Sequence, residues 1–168
     1  MPNTQESYDI INNKIHALKE SSHYLKDKSD DFAFSALSVK ATYYKNPALV
    51  LDDTALENIV GDGQYDGGVD ALLTDPNSDT SDLVIAQSKY YKAITFDEIF
   101  NAIAKMASFY KDMKNGHYEN VNQKVGKRFI DLDAEVGVES RIHFMFFTSA
   151  PQKGIKRNSY FHITVREV

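Results

Sequence analysis

Asp70, Gln87 and Lys89 are the residues whose types and spacing could do chemistry, and they fall within one stretch, Gly61 to Lys92, reading GDGQYDGGVDALLTDPNSDTSDLVIAQSKYYK. Strand side chains repeat with period two, so Gln87 and Lys89 share a face, where Asp70 on a neighbouring strand could join them. A divalent cation that cleaves phosphodiesters needs hard oxygen ligands and open positions for the scissile phosphate and a water. Asp70 offers a carboxylate, Gln87 an amide oxygen, and the main-chain carbonyl of Ser88 lies between Gln87 and Lys89. The Lys89 ammonium then sits where it could orient the water or stabilise charge developing on the phosphate.

Two other chemistries compete for the same stretch and fit it less well. Asp62-x-Gln64-x-Asp66-Gly67 imitates a calcium loop, but the twelfth position, which needs a bidentate Glu, holds Leu73, and a strand follows in place of a helix. Gly61-x-Gly63-x-x-x-Gly67 could present amides to a phosphate, yet it matches neither glycine-rich phosphate motif. Asp66 beside Gly67 is as well explained by a turn as by a ligand. Asp70 is different, because an Asp within a strand, between Val69 and Ala71, has poor β propensity and calls for a cation or metal. The five histidines form no metal-ligand spacing, and no G-x-S-x-G elbow surrounds Ser88.

The run Asp66-Gly67-Gly68-Val69-Asp70-Ala71, followed after a turn by Ile85-Ala86-Gln87-Ser88-Lys89-Tyr90, resembles the core of PD-(D/E)xK nucleases in the variant where Gln replaces the second acid. Its surroundings of helix, glycine turn, strand, Q-x-K-Y and helix look like the amino-terminal nuclease-like region of AIPR (abortive infection phage resistance) proteins, and more distantly like Mrr-type restriction endonucleases. The resemblance implies a restriction-endonuclease-like core, an endonuclease cutting DNA (with RNA as the alternative), Mg²⁺ with Mn²⁺ able to substitute, and a role in bacterial defence against phage. It makes Asp70, Gln87 and Lys89 catalytic, with Asp70, Gln87 and Ser88 holding the metal. One departure stands out: such nucleases often carry a Glu on the helix before the first core strand, whereas Phe32 to Tyr44 contains no acid. Asp31, Glu57 and Asp66 are the candidates to supply an accessory group. A nuclease-fold module that binds nucleic acid or a protein partner without cutting is the rival expectation.

The elements that must position these residues follow from periodicity. Apolar residues at Tyr8, Ile11, Ile15 and Leu18 predict a helix over 4–26, and Asp31 to Tyr44 a second. Thr54-Ala55-Leu56-Glu57 has capping-box spacing and predicts a short helix through Val60. Val69 to Thr74 and Leu83 to Tyr90 predict an antiparallel hairpin across Asp75-Pro76-Asn77. Thr95-Phe96-Asp97-Glu98 opens a helix with apolar residues at Phe96, Ile99, Phe100, Ile103, Met106, Ala107, Tyr110 and Met113, stopped by Asn115-Gly116. Residues 118–135 predict another helix, Arg141 to Ser149 a central strand, and residues 159–166 a last strand. The expected fold is one α/β domain over 1–168, a small mixed sheet flanked by helices. The stop at Val168, just after a strand, reads as the amino-terminal fragment of a longer protein with further domains.

Composition sets the outer bounds. The chain has 168 residues and no cysteine, which removes disulfides, thiolate nucleophiles and Cys-based zinc. No run of about 18 apolar residues and no export signal is visible, so a cytoplasmic address without membrane contact is expected. The net charge of −5 hides an asymmetry: residues 1–88 hold 6 Lys/Arg against 15 Asp/Glu, and residues 89–168 hold 13 against 9. The basic half, including Lys92, Lys105, Lys111, Lys124, Lys127 and Arg128, could meet a polyanion such as DNA. A homodimer would suit a small nuclease that cuts both strands.

Overall fold

The computed structural model describes residues 4–61 and 67–150, apart from the side chains of residues 4 and 120. Helices α1 (Thr4–Ser21), α2 (Asp30–Tyr43) and α3 (Asp53–Ile59) precede a hairpin of β1 (Ala71–Thr74) and β2 (Leu83–Lys89). Helix α4 (Phe96–Lys114), a 3-10 turn at Tyr118–Asn120 and helix α5 (Gln123–Asp133) then lead to β3 (Ile142–Thr148). The sheet order is β1-β2-β3, antiparallel between β1 and β2 and parallel between β2 and β3, as a crossover through two helices allows. The predicted strand at 159–166, the Asp62-to-Asp66 loop and Asp66 itself lie outside the described residues.

Alternation along the strands sorts the core into two layers, one on each face of the sheet. Val84 and Ala86 pack with Ala71, Leu73 and Phe147 against Ile15, Phe34, Val39 and Leu56 of α1, α2 and α3. Leu83 and Ile85 pack with Leu72 against Met106, Phe109 and Phe129 of α4 and α5. The result is a three-layer α/β/α sandwich whose middle strand, β2, is buried from Leu83 through Gln87.

Several boundaries differ from expectation for physical reasons. Helix α1 ends at Ser21, where the chain turns so that the Ser22 hydroxyl accepts from the Leu25 amide. Asp52, not Thr54, caps α3: its carboxylate accepts from the Ala55 amide at 2.8 Å, leaving Thr54 within the helix and Glu57 exposed. The stretch 118–135 divides, because the chain becomes extended at Val121 after the 3-10 turn and Asn122 then caps α5. Among the described residues β3 lies at the sheet edge and β2 at its centre. The Thr95–Glu98 capping box forms as expected, but α4 buries Phe109 and leaves Phe100 at the surface.

Candidate metal centre

The hairpin positions the candidate residues, and the geometry departs from a plain ladder at Asp70. The register Ala71 to Ala86 places Asp70 one step further along, beside Gln87, and the Asp70 amide donates to the Ala86 carbonyl at 2.8 Å. Val69 packs on the α4 side and Ala71 on the α2 side, so the strict two-residue alternation fails at the bend between them. Asp70 uses that bend to bring its carboxylate against Ser88, accepting from the Ser88 amide at 2.7 Å and from its hydroxyl at 3.3 Å. Asp70 and Ser88 are therefore in direct contact, through the Ser88 amide and hydroxyl.

The Ser88 hydroxyl continues a polar chain into α2. It is hydrogen-bonded to the Ser35 hydroxyl, which in turn reaches the Asp31 main-chain carbonyl at 3.2 Å. Ser35 is buried on a helix otherwise lined by Ala33, Phe34, Ala36 and Val39. It stands on the helix where the nuclease resemblance would place an acid, and the structure thus supplies a hydroxyl there. The Asp31 side chain is exposed, and only its main-chain oxygen joins the network.

Gln87 belongs to the opposite face, following Leu83 and Ile85 toward α4. It is 7% exposed, and among the described residues its Oε1 has no hydrogen-bond partner. A buried acceptor left unsatisfied is costly, and native folds rarely tolerate one without a purpose. Gly68 makes the approach possible. Its φ of +79° suits glycine, and a Cβ placed there would lie 3.6 Å from both Gln87 Nε2 and Lys105 Cβ. The Gln87 amide and the Lys105 side chain of α4 thus both lie against Gly68.

Lys89 is partly buried, its Nζ 5.9 Å from the centre of the Tyr91 ring. Its charge also helps hold the Glu98 carboxyl below its ordinary range, after the larger effect of hydrogen bonds from the Thr95 amide and hydroxyl. Lys92 turns back over the Tyr8 ring at 4.9 Å, and Lys111 is exposed on α4. Tyr90 is packing rather than a free surface ring: it stacks on Tyr8 at 5.0 Å and donates to Asn12 Oδ1 at 3.1 Å. Burial and the neighbouring Tyr8 raise its pKa.

The structure brings Asp70 and Ser88 together but turns the Gln87 side chain toward α4, so the carboxylate, the amide oxygen and the Ser88 carbonyl match a hard cation in donor type and do not converge on one point. Among the described residues no three His, Cys, Asp or Glu side chains gather as a metal site, so the set depends on neutral oxygens. Sequence reading missed the Ser35 link and the place of Lys105 beside Gln87. A serine on an otherwise apolar helix was the available signal for the first, and nothing in the sequence signalled the second.

Architecture defines the chain as an α/β/α sandwich with a polar cluster at the open end of a buried hairpin. No protein-family profile, characterised protein or solved structure matches the chain.

Proposed function

We propose that the chain is a metal-dependent endonuclease domain of restriction-endonuclease-like type, acting on DNA, with Mg²⁺ or Mn²⁺ held by Asp70, Gln87 and the Ser88 carbonyl. The observation that carries this reading is the buried Gln87 Oε1, without a hydrogen-bond partner among the described residues, on the residue across the hairpin from Asp70. A hard cation would satisfy that oxygen and, when bound, would polarise the scissile phosphate and acidify a water. The protein's own part is positional. Ser35 and Ser88 fix the Asp70 carboxylate, and Gly68 lets the Gln87 amide and the Lys105 side chain of α4 approach the hairpin closely. The motif resemblance supports anti-phage defence, and hence a cytoplasmic setting, as its context.

Binding without cutting is the second reading, favoured by the single carboxylate in the donor set. Incubating the chain with plasmid DNA and with RNA, in Mg²⁺, Mn²⁺ or EDTA, separates the two. Metal-dependent cutting that disappears in Asp70→Ala and in Lys89→Ala is the expected result. Cutting in EDTA, or undiminished cutting by Asp70→Ala, would overturn the mechanism. Salt-dependent binding with no cutting in either metal would favour the second reading.

A further inference from the structure

A separate cleft opens on the far side of β1, between α3 and α5, with a volume of about 190 Å³. Its floor is aliphatic, formed by Val60, Val69 and Leu72, all at most 3% exposed. One face of α5 forms its wall, where the spacing of Lys124, Lys127, Arg128 and Asp131 brings three cations and one acid to the same side. Among the described residues none of the three cations forms an ion pair. The Arg128 guanidinium is partly buried, with Nε 3.5 Å from the Leu72 carbonyl, and that burial lowers its pKa.

Three cations against one acid leave a local excess of positive charge in a chain of net charge −5, which suits an anion, and a dry floor beneath it suits an apolar body on that anion. Drug-sized ligands occupy pockets of about 300–1,000 Å³, so this cleft suits a smaller, flat group. We propose that the cleft between α3, β1 and α5 binds a nucleotide, its base over Val60, Val69 and Leu72 and its phosphate on Lys124, Lys127 and Arg128. The ligand is either a free nucleotide or one unit of a nucleic-acid strand. Val69 and Ala71 line the cleft while flanking Asp70, and the Gly61 amide donates to the Asp70 carbonyl at 2.8 Å. Occupancy therefore bears on the strand that carries the candidate metal ligand.

The test is an amide-resolved NMR titration of the 168-residue chain with adenosine 5′-monophosphate, adenosine, inorganic phosphate and decathymidylate. Saturable shifts at Val69, Leu72 and Val125 with adenosine 5′-monophosphate, at least about tenfold tighter than with adenosine or phosphate alone, are expected. The double variant Lys124→Glu/Lys127→Glu changes two exposed side chains and should weaken binding about tenfold or more, with amide shifts elsewhere unchanged. Tighter binding of decathymidylate than of the mononucleotide would assign a strand, and the reverse a free nucleotide. The proposal is overturned by three results: no saturation up to about 10 mM, equal affinity for phosphate and mononucleotide, or no effect of the double variant. The metal reading fails or stands separately, because Asp70→Ala should abolish cutting while leaving the nucleotide titration in place.

Discussion

Replacing Gln87 with Met should stabilise the metal-free chain, and the size of the gain follows from one atom. Met keeps the unbranched shape of Gln and removes a buried acceptor that has no partner among the described residues. Leaving such a group unsatisfied costs about 1–3 kcal/mol. Some of that is offset by whatever the amide nitrogen contributes, so a net gain of about 1 kcal/mol is expected, or ~2–4 °C in Tm for a domain of this size. Mg²⁺ at about a hundred times its Kd would add ~2.7 kcal/mol to the wild type, roughly 5–10 °C, and nothing to the Met variant. Gln87→Glu should behave oppositely. A second carboxylate beside Asp70 destabilises the metal-free state through like-charge repulsion and burial, and enlarges the Mg²⁺ response. Thermal denaturation of the three proteins in EDTA and in Mg²⁺ gives the order Met, Gln, Glu without metal and a reversed order of metal-induced shifts. A Met variant that melts below wild type in EDTA would show that the oxygen is satisfied in the native protein. A Met variant with an undiminished Mg²⁺ shift would remove Gln87 from the ligand set.

Two further outcomes concern stability away from the metal centre. Asp82 receives the Arg141 amide at 2.8 Å and the Thr80 hydroxyl at 2.7 Å, with His143 Nε2 at 3.1 Å, and these hold its carboxyl well below the usual range. Its contribution is therefore fully present above the ordinary carboxylate pKa of about 4 and is lost as pH falls below it. Asp82→Asn should be less stable than wild type at pH 7, with the gap in denaturant midpoint narrowing steadily as pH falls below about 4; a constant gap would contradict the assignment. Gly67→Ala should cost more than Gly68→Ala. Both residues have positive φ, but a Cβ at Gly67 would come within 2.7 Å of Phe109 Cδ2, whereas the nearest atoms at Gly68 are 3.6 Å away. Strain of about 1 kcal/mol applies to each, and overpacking adds ~1–3 kcal/mol at Gly67 alone, measurable by urea denaturation.

The sequence made the hairpin and α4 legible because both carry local signals of fixed spacing. Alternating residues bounded by Asp75-Pro76-Asn77 predict the former, and a Thr and Glu three apart the start of the latter. Boundaries failed where two acceptable caps compete: Asp52 and Thr54 are both good caps, and only packing of Leu56 and Ile59 chooses between their phases. Gln87 and Lys89 could be placed on one face from period two alone. Asp70 could not, since its bend depends on Gly68 and on the distant Ser35–Ser88 contact across 53 positions of chain. The Arg128 cleft was invisible because it joins α3 to α5 through β1, elements that no local pattern relates.

The parallel pairing of β2 with β3 also sets an order of events during folding. Asp70, Gln87 and Ser88 belong to a hairpin closed by residues 75–82, whereas β3 reaches β2 only after residues 90–141 have been laid down. Short loops close in about 10–100 ns and hairpins form in roughly 1–10 μs, while non-local pairings wait on a much larger loss of chain entropy. The oxygen donors therefore meet early, in a wet and half-formed hairpin. The desolvation that buries the Gln87 amide arrives late, when α4 docks with Lys105 against Gly68.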